Sequence, residues 1–170
     1  LFSSHREQLQ IMNFGIALGS NLGDRAENVR RGIEMILARV PGVRLNGSGR
    51  VYETEPVDCA PGTQAFLNTV IEVAADCKPE ELHAVLKGIE AALGRPEQRE
   101  RNSPRTLDLD LLYADEVVSD DPVLTLPHPR MHLRRFVLEP LADIRPELVL
   151  PGQSETVATL LLQLEEHSAK

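Results

Sequence analysis

Two aspartates stand two residues apart in "SPRTLDLDLLYAD", residues 103 to 115, with leucines between and around them. In an extended strand successive side chains point to opposite faces, so Thr106, Asp108 and Asp110 share one face and Leu107, Leu109 and Leu111 the other. The leucine face is core. The carboxylate face has to meet water, a cation or cationic side chains, because paired buried charges of one sign repel. Such a pair suits magnesium, which takes one or two carboxylates together with water and phosphate oxygens. A half-exposed strand also carries such a pair with no metal, so the neighbours decide. Arg105 lies three residues before Asp108, and Arg95, Arg99 and Arg101 lie in the loop before it. A guanidinium stays charged and can bind phosphate through two hydrogen bonds. Arginines beside metal-binding carboxylates are the parts needed to hold a nucleoside triphosphate.

Other signatures are missing. No G-x-x-x-x-G-K-[ST] phosphate loop and no G-x-S-x-G nucleophile elbow occurs. "GSNLGD" reads as a tight strand-to-helix turn. His128 and His132 have the spacing of two zinc ligands, but Pro129 between them disfavours a helix, so zinc is not expected. His128 is the better candidate for a polar substrate contact. Phe66 and Asn68 share a face of another predicted strand, where an aromatic plate beside an amide can stack on a flat heterocycle and read its edge. Phe136 could supply a second plate. Ordinary core packing is the alternative reading of both phenylalanines.

The elements that must position these residues follow from periodicity. "NFGIALGS" alternates Phe14, Ile16 and Leu18 with small residues and reads as a strand. Asp24 caps a helix, with Glu27 three residues on, and Pro41-Gly42 stops it. Strands are predicted over 43 to 57 and 66 to 75, joined by the loop "DCAPGTQA". Pro79 starts a second helix that ends at Gly94. The aspartate strand follows, then a hairpin of Val117-Val118 and "VLTL" around "SDDP", a proline-bounded loop into a short helix, and a last helix over 155 to 166. Strand, helix, strand, strand, helix, strand is the split β-α-β order of ferredoxin-like folds. The expected class is α+β: a βαββαβ core with an antiparallel sheet, helices on both faces, and an extra C-terminal hairpin and helices.

With 170 residues the chain is expected to form one domain, 13–170, after a tail over 1–12, with Met12 a possible native start. The net charge of −8 argues against nucleic acid or an anionic membrane as partner. Yet seven of the 15 arginines fall between residues 95 and 135, a local cluster that could hold a small polyanion. Cys59 and Cys77 have no metal or redox spacing and read as reduced thiols in a cytoplasmic protein. No stretch approaches the ~20 apolar residues of a membrane helix.

Together "IALGSNLGD", "YETEP", "FLNTVIEV", "IEAALGR", "SPRTLDLDLL", "LTLPHPRMHLRRFVLEPL" and "PELVLP" resemble the 6-hydroxymethyl-7,8-dihydropterin pyrophosphokinase family over about 14 to 151. The resemblance implies a ferredoxin-like α+β fold. It also implies transfer of the terminal diphosphate of ATP to the pterin's hydroxymethyl oxygen, releasing AMP, in folate biosynthesis. It assigns Asp108 and Asp110 to two magnesium ions, and Arg95 and Arg105 to catalysis on the moving diphosphate. Glu90, Thr125, His128 and Arg134 become contacts to ATP. Phe66 and Phe136 sandwich the pterin, Asn68 reads its edge, and Thr54, Pro56 and Val57 line its pocket. Asn102 stands where some members have tryptophan, and Glu97 where some have a second arginine. A monomer is expected.

Overall fold

The computed structural model describes residues 10 to 55, 61 to 94 and 106 to 168. The elements in chain order are β1 (Met12–Ser20), α1 (Arg25–Arg39), β2 (Arg44–Ser48), β3 (Tyr52–Thr54), β4 (Phe66–Ala75), α2 (Pro79–Ala92), β5 (Asp108–Ala114), β6 (Ser119–Asp121), β7 (Leu124–Leu126), α3 (Arg135–Ile144) and α4 (Val157–Ser168). A 3-10 turn, Met131–Leu133, precedes α3. The main sheet runs β2-β4-β1-β5, with β3 also on β4, and every pairing is antiparallel. This is the expected ferredoxin-like order. β6 and β7 form the separate hairpin, its first strand two residues later than Val117-Val118.

Two cores sandwich the sheet. Phe14, Ile16 and Leu18 of β1 pack with Leu109 and Leu111 of β5 against Ile36 of α1 and Leu82, Leu86 and Ile89 of α2. On the other face Val70 and Leu112 meet Val137, Leu138 and Leu141 of α3 and Val157 and Leu160 of α4. The helices therefore cover both faces.

Local signals explain the ends. The Asp24 carboxylate accepts the Glu27 N–H at 3.1 Å, satisfying one of the free donors of the first turn of α1. Gly94, just after α2, has φ +91°, a region that favours glycine. Three boundaries differ from the sequence expectation. β1 already begins at Met12, which pairs with Ala75, so the stretch taken as a tail reaches into the sheet. The strand expected over 43 to 57 is two strands, because α3 crosses between them: a Cβ at Gly49 would lie 2.4 Å from the Pro140 carbonyl oxygen. Along β5 the strict alternation fails at a bulge. Ile16 pairs with Leu111 and Gly15 with Tyr113, so Leu112 is the extra residue, and Tyr113 joins it on the α3 face instead of returning to the side of Leu111.

Candidate active site

β1 forms the floor of a cleft of about 610 Å3 between the α3 face of the sheet and the N-terminal end of α3. The small residues seen in its sequence leave this space: Ala17 pairs with Asp110 on β5, and Gly19 stands between Asp108 on β5 and Asn68 on β4. Asp108 and Asp110 both line the cleft, on the face opposite Leu109 and Leu111. Phe66 and Asn68 line it from β4, Thr54 from β3, and Arg134 and Phe136 from the start of α3. A volume of several hundred cubic ångströms, apolar plates and a few polar groups are the properties of a small-molecule site.

The two carboxylates are electrostatically uneasy. Burial and the neighbouring Asp108 push the Asp110 carboxyl above its ordinary range, and Lys87, His128 and Arg134 draw it partly back. Burial likewise pushes the His128 imidazole down, against the pull of Asp110, with Arg134 and Arg130 acting in the same sense as burial. The His128 backbone N–H donates to the Leu112 carbonyl at 2.7 Å, which seats the loop beside β5. His128 Nδ1 accepts the Arg130 backbone N–H at 3.2 Å, so the proton of a neutral ring stands on Nε2. The guanidinium carbon of Arg134 lies 5.5 Å from the centre of the Phe136 ring.

The Asn68 amide donates to Thr54 Oγ1 at 2.6 Å, so the expected edge reader and the start of the pocket loop are tied together. Gly19 makes room for this amide: a Cβ there would stand 2.9 Å from Asn68 Oδ1.

Two expected residues lie elsewhere. Glu90 is 1% exposed in the core under α2. Its Oε2 accepts the Leu109 N–H at 3.2 Å, while Lys87 Nζ pairs with Glu90 Oε1 at 2.8 Å and donates to the Leu109 carbonyl at 3.2 Å. The pair thus grips the outer edge of the residue between the two aspartates, and its visible task is to fix β5. Thr125 is on β7, its hydroxyl donating to the Asp121 carbonyl at 3.0 Å, and it is not part of the cleft lining. Pro56, Val57, Arg95 and Arg105 lie outside the described residues.

Several neighbours were not foreseen. Lys87 and His83 of α2 stand within the electrostatic reach of Asp110. Arg25 donates to the Ala65 carbonyl at 2.6 Å and pairs with Glu53 at 3.4 Å, so it touches the chain both before and after residues 56 to 60. Tyr52, Glu139 and Arg135 line the cleft mouth. All are brought in by tertiary contacts that no local spacing announces.

Among the described residues no group of three or more His, Cys, Asp and Glu side chains forms a metal cage. The donor set is instead two carboxylates on one strand, open to the cleft, which fits a cation that takes its remaining oxygens from substrate and water.

Residues 15–146 match the family model described as 7,8-dihydro-6-hydroxymethylpterin-pyrophosphokinase. A Methylorubrum extorquens protein named 2-amino-4-hydroxy-6-hydroxymethyldihydropteridine pyrophosphokinase is 39% identical over 150 residues, 88% of this chain and 92% of that one. A Bacillus subtilis protein of the same name is 40% identical over 129 residues, 76% of this chain and 75% of that one. A Plasmodium falciparum HPPK-DHPS structure with pterin and p-hydroxybenzoate superposes with a TM-score of 0.76 at 13% identity. It is covered over 46% of its length by 98% of this chain, and it speaks for the fold.

Proposed function

The chain belongs to the 7,8-dihydro-6-hydroxymethylpterin-pyrophosphokinase family, and from that premise we infer how its cleft divides the work of the reaction. The enzyme is an ATP-dependent pyrophosphokinase of folate biosynthesis: it moves diphosphate from ATP to the hydroxymethyl group of 6-hydroxymethyl-7,8-dihydropterin, releasing AMP.

The pterin lies between Phe66 and Phe136, its amide-like edge against Asn68, with Thr54, Pro56 and Val57 closing the pocket. Both rings line the same cleft, which supports this placement. The triphosphate lies toward β5, where Arg134, His128, Arg95 and Arg105 bind it, with Thr125 further out on the nucleotide side. Asp108 and Asp110 would hold two magnesium ions, which would supply neutralisation of triphosphate charge and a lowered pKa for the alcohol. The protein's own part is placement. The floor of β1 and the two rings aim the alcohol at the β-phosphorus, and arginines stabilise charge as the leaving AMP departs.

One observation carries this assignment: an acidic pair whose inner member is pushed toward protonation by burial and by its twin, in a cleft with cationic and aromatic walls. Such a pair is poised to gain from a divalent ion. We further take the enzyme to be a cytoplasmic monomer with one catalytic domain that begins with β1. A free Cys77 supports a reducing compartment, and among the described residues no helix is long and apolar enough to cross a membrane. Product analysis tests the reading. AMP and pterin diphosphate in equal amounts are expected. ADP or free inorganic diphosphate would point to a different nucleotide-dependent transferase.

A further inference from the structure

α3 touches the substrate cleft at one end and a distant strand junction at the other. Arg135, Phe136 and Glu139 line the cleft. One turn on, the Pro140 carbonyl presses on Gly49, the break between β2 and β3. Asp143 follows at i+3, on the same side of the helix. Its side chain is 16% exposed and collects three donors from one short segment. The Arg50 backbone N–H reaches Oδ2 at 3.0 Å, the Arg50 guanidinium reaches Oδ1 at 3.0 Å, and the Tyr52 hydroxyl reaches Oδ2 at 2.8 Å.

The segment so gripped leads directly into the pterin pocket. Tyr52 opens β3, pairs with Asn68 and itself lines the cleft. Two residues later Thr54 pairs with Phe66 and accepts the Asn68 amide. β3 has only three paired positions, all to β4, and ends at Thr54. So short an edge strand holds its place weakly by ladder bonds alone. The Arg50 side chain is 81% exposed, and its ion pair with Asp143 is of the screened surface kind that contributes little. The hydroxyl and backbone bonds to Asp143 are the stronger restraint, since each is a charge-assisted hydrogen bond.

We propose that Asp143, which touches no substrate, is a positioning residue for the pterin. It bolts β3 to α3 so that Thr54 and Asn68, on the sheet, face Phe136, on the helix, at a fixed separation. The two walls of the pterin site then move as one body, and β5 with its acidic pair is left out of the linkage. This inference rests on the placement of the pterin proposed above.

Steady-state kinetics of Asp143→Asn, Asp143→Glu and Tyr52→Phe, with each substrate varied in turn, test it. Asp143→Asn keeps the shape and loses the charge. KM for 6-hydroxymethyl-7,8-dihydropterin should rise about tenfold, as weakening two or three hydrogen bonds implies. KM for ATP and kcat at saturating pterin should stay within about threefold. Tyr52→Phe should raise the pterin KM by less, and combining it with Asp143→Asn should add less than the sum of the two effects. Asp143→Glu should recover part of the loss. The chain has two tyrosines and no tryptophan, so ultraviolet titration of the phenols follows Tyr52 directly. In Asp143→Asn one phenol should ionise at lower pH than in the parent. A folded Asp143→Asn protein with an unchanged pterin KM would overturn the proposal, and so would equal rises in both KM values. Absence of diphosphate transfer by the unaltered enzyme would overturn the reading beneath it, and the inference with it.

Discussion

Replacing Gly19 by alanine puts one methyl group at the centre of the cleft floor, and the structure says what it must hit. The new Cβ would stand 2.9 Å from Asn68 Oδ1, whereas ordinary contact begins near 3.4 Å, so the amide has to retreat by about 0.5 Å. It cannot retreat freely, because its nitrogen is held by Thr54 Oγ1 at 2.6 Å. Overpacking of this kind costs about 1 to 3 kcal/mol, and the strained hydrogen bond accounts for about 1 kcal/mol of it. If about 1.4 kcal/mol appears in the pterin complex, affinity falls about tenfold. The remainder lowers Tm by a few degrees for a chain of this size. Calorimetric titration with the pterin measures the first and thermal unfolding the second, with ATP-analogue affinity as the internal control. Gly15→Ala is the contrast. Its Cβ would lie 2.2 Å from the Tyr113 ring, away from the cleft lining, so it should damage stability far more than pterin binding. An alanine at 19 that binds pterin as well as glycine would refute the claim that Asn68 reads the pterin edge from its present position.

Three further outcomes follow from named contacts. Asp110→Asn should abolish transfer and yet raise Tm in EDTA: a carboxyl with a raised folded pKa destabilises the ionised fold, and stability falls as pH rises from about 4 through that raised value, a slope the variant should lack. Scans from pH 4 to 8 measure this, and a lowered Tm would contradict it. Phe66→Ala should weaken pterin binding at least tenfold with ATP binding retained, since a stacked ring contributes about 1 to 3 kcal/mol; undiminished pterin affinity in calorimetry would remove the sandwich. Glu90→Ala leaves Lys87 and the Leu109 N–H without their shared acceptor, so stability should drop by about 2 to 3 kcal/mol in urea unfolding, and a loss of ATP affinity without that drop would return Glu90 to the nucleotide.

What the sequence showed and what it hid divide along a physical line. Alternation in "NFGIALGS" and "LDLDLL" is local, and it correctly put Phe14, Ile16, Leu18, Leu109 and Leu111 in one core with the small residues and carboxylates opposite. The caps at Asp24 and Gly94 are local too. The split between β2 and β3 was hidden because its cause, Pro140, is about 90 residues away in the chain. The bulge at Leu112 was hidden because a run of "LLYA" satisfies either face. The grip of Glu90 and Lys87 on Leu109 depends on where α2 lies along an edge strand, which helical periodicity does not state. For the same reason the tie from Asp143 to Tyr52 and the brace of Arg25 had no signal in spacing.

Calorimetric titration of a nonhydrolysable ATP analogue, with and without magnesium, into the parent and into the Asp108→Asn/Asp110→Asn double variant is the most direct measurement. Tight binding that needs both magnesium and the two carboxylates is the predicted result. Equal affinity in parent and variant, or no effect of magnesium on either, would contradict the assignment of the acidic pair to metal-assisted diphosphate transfer.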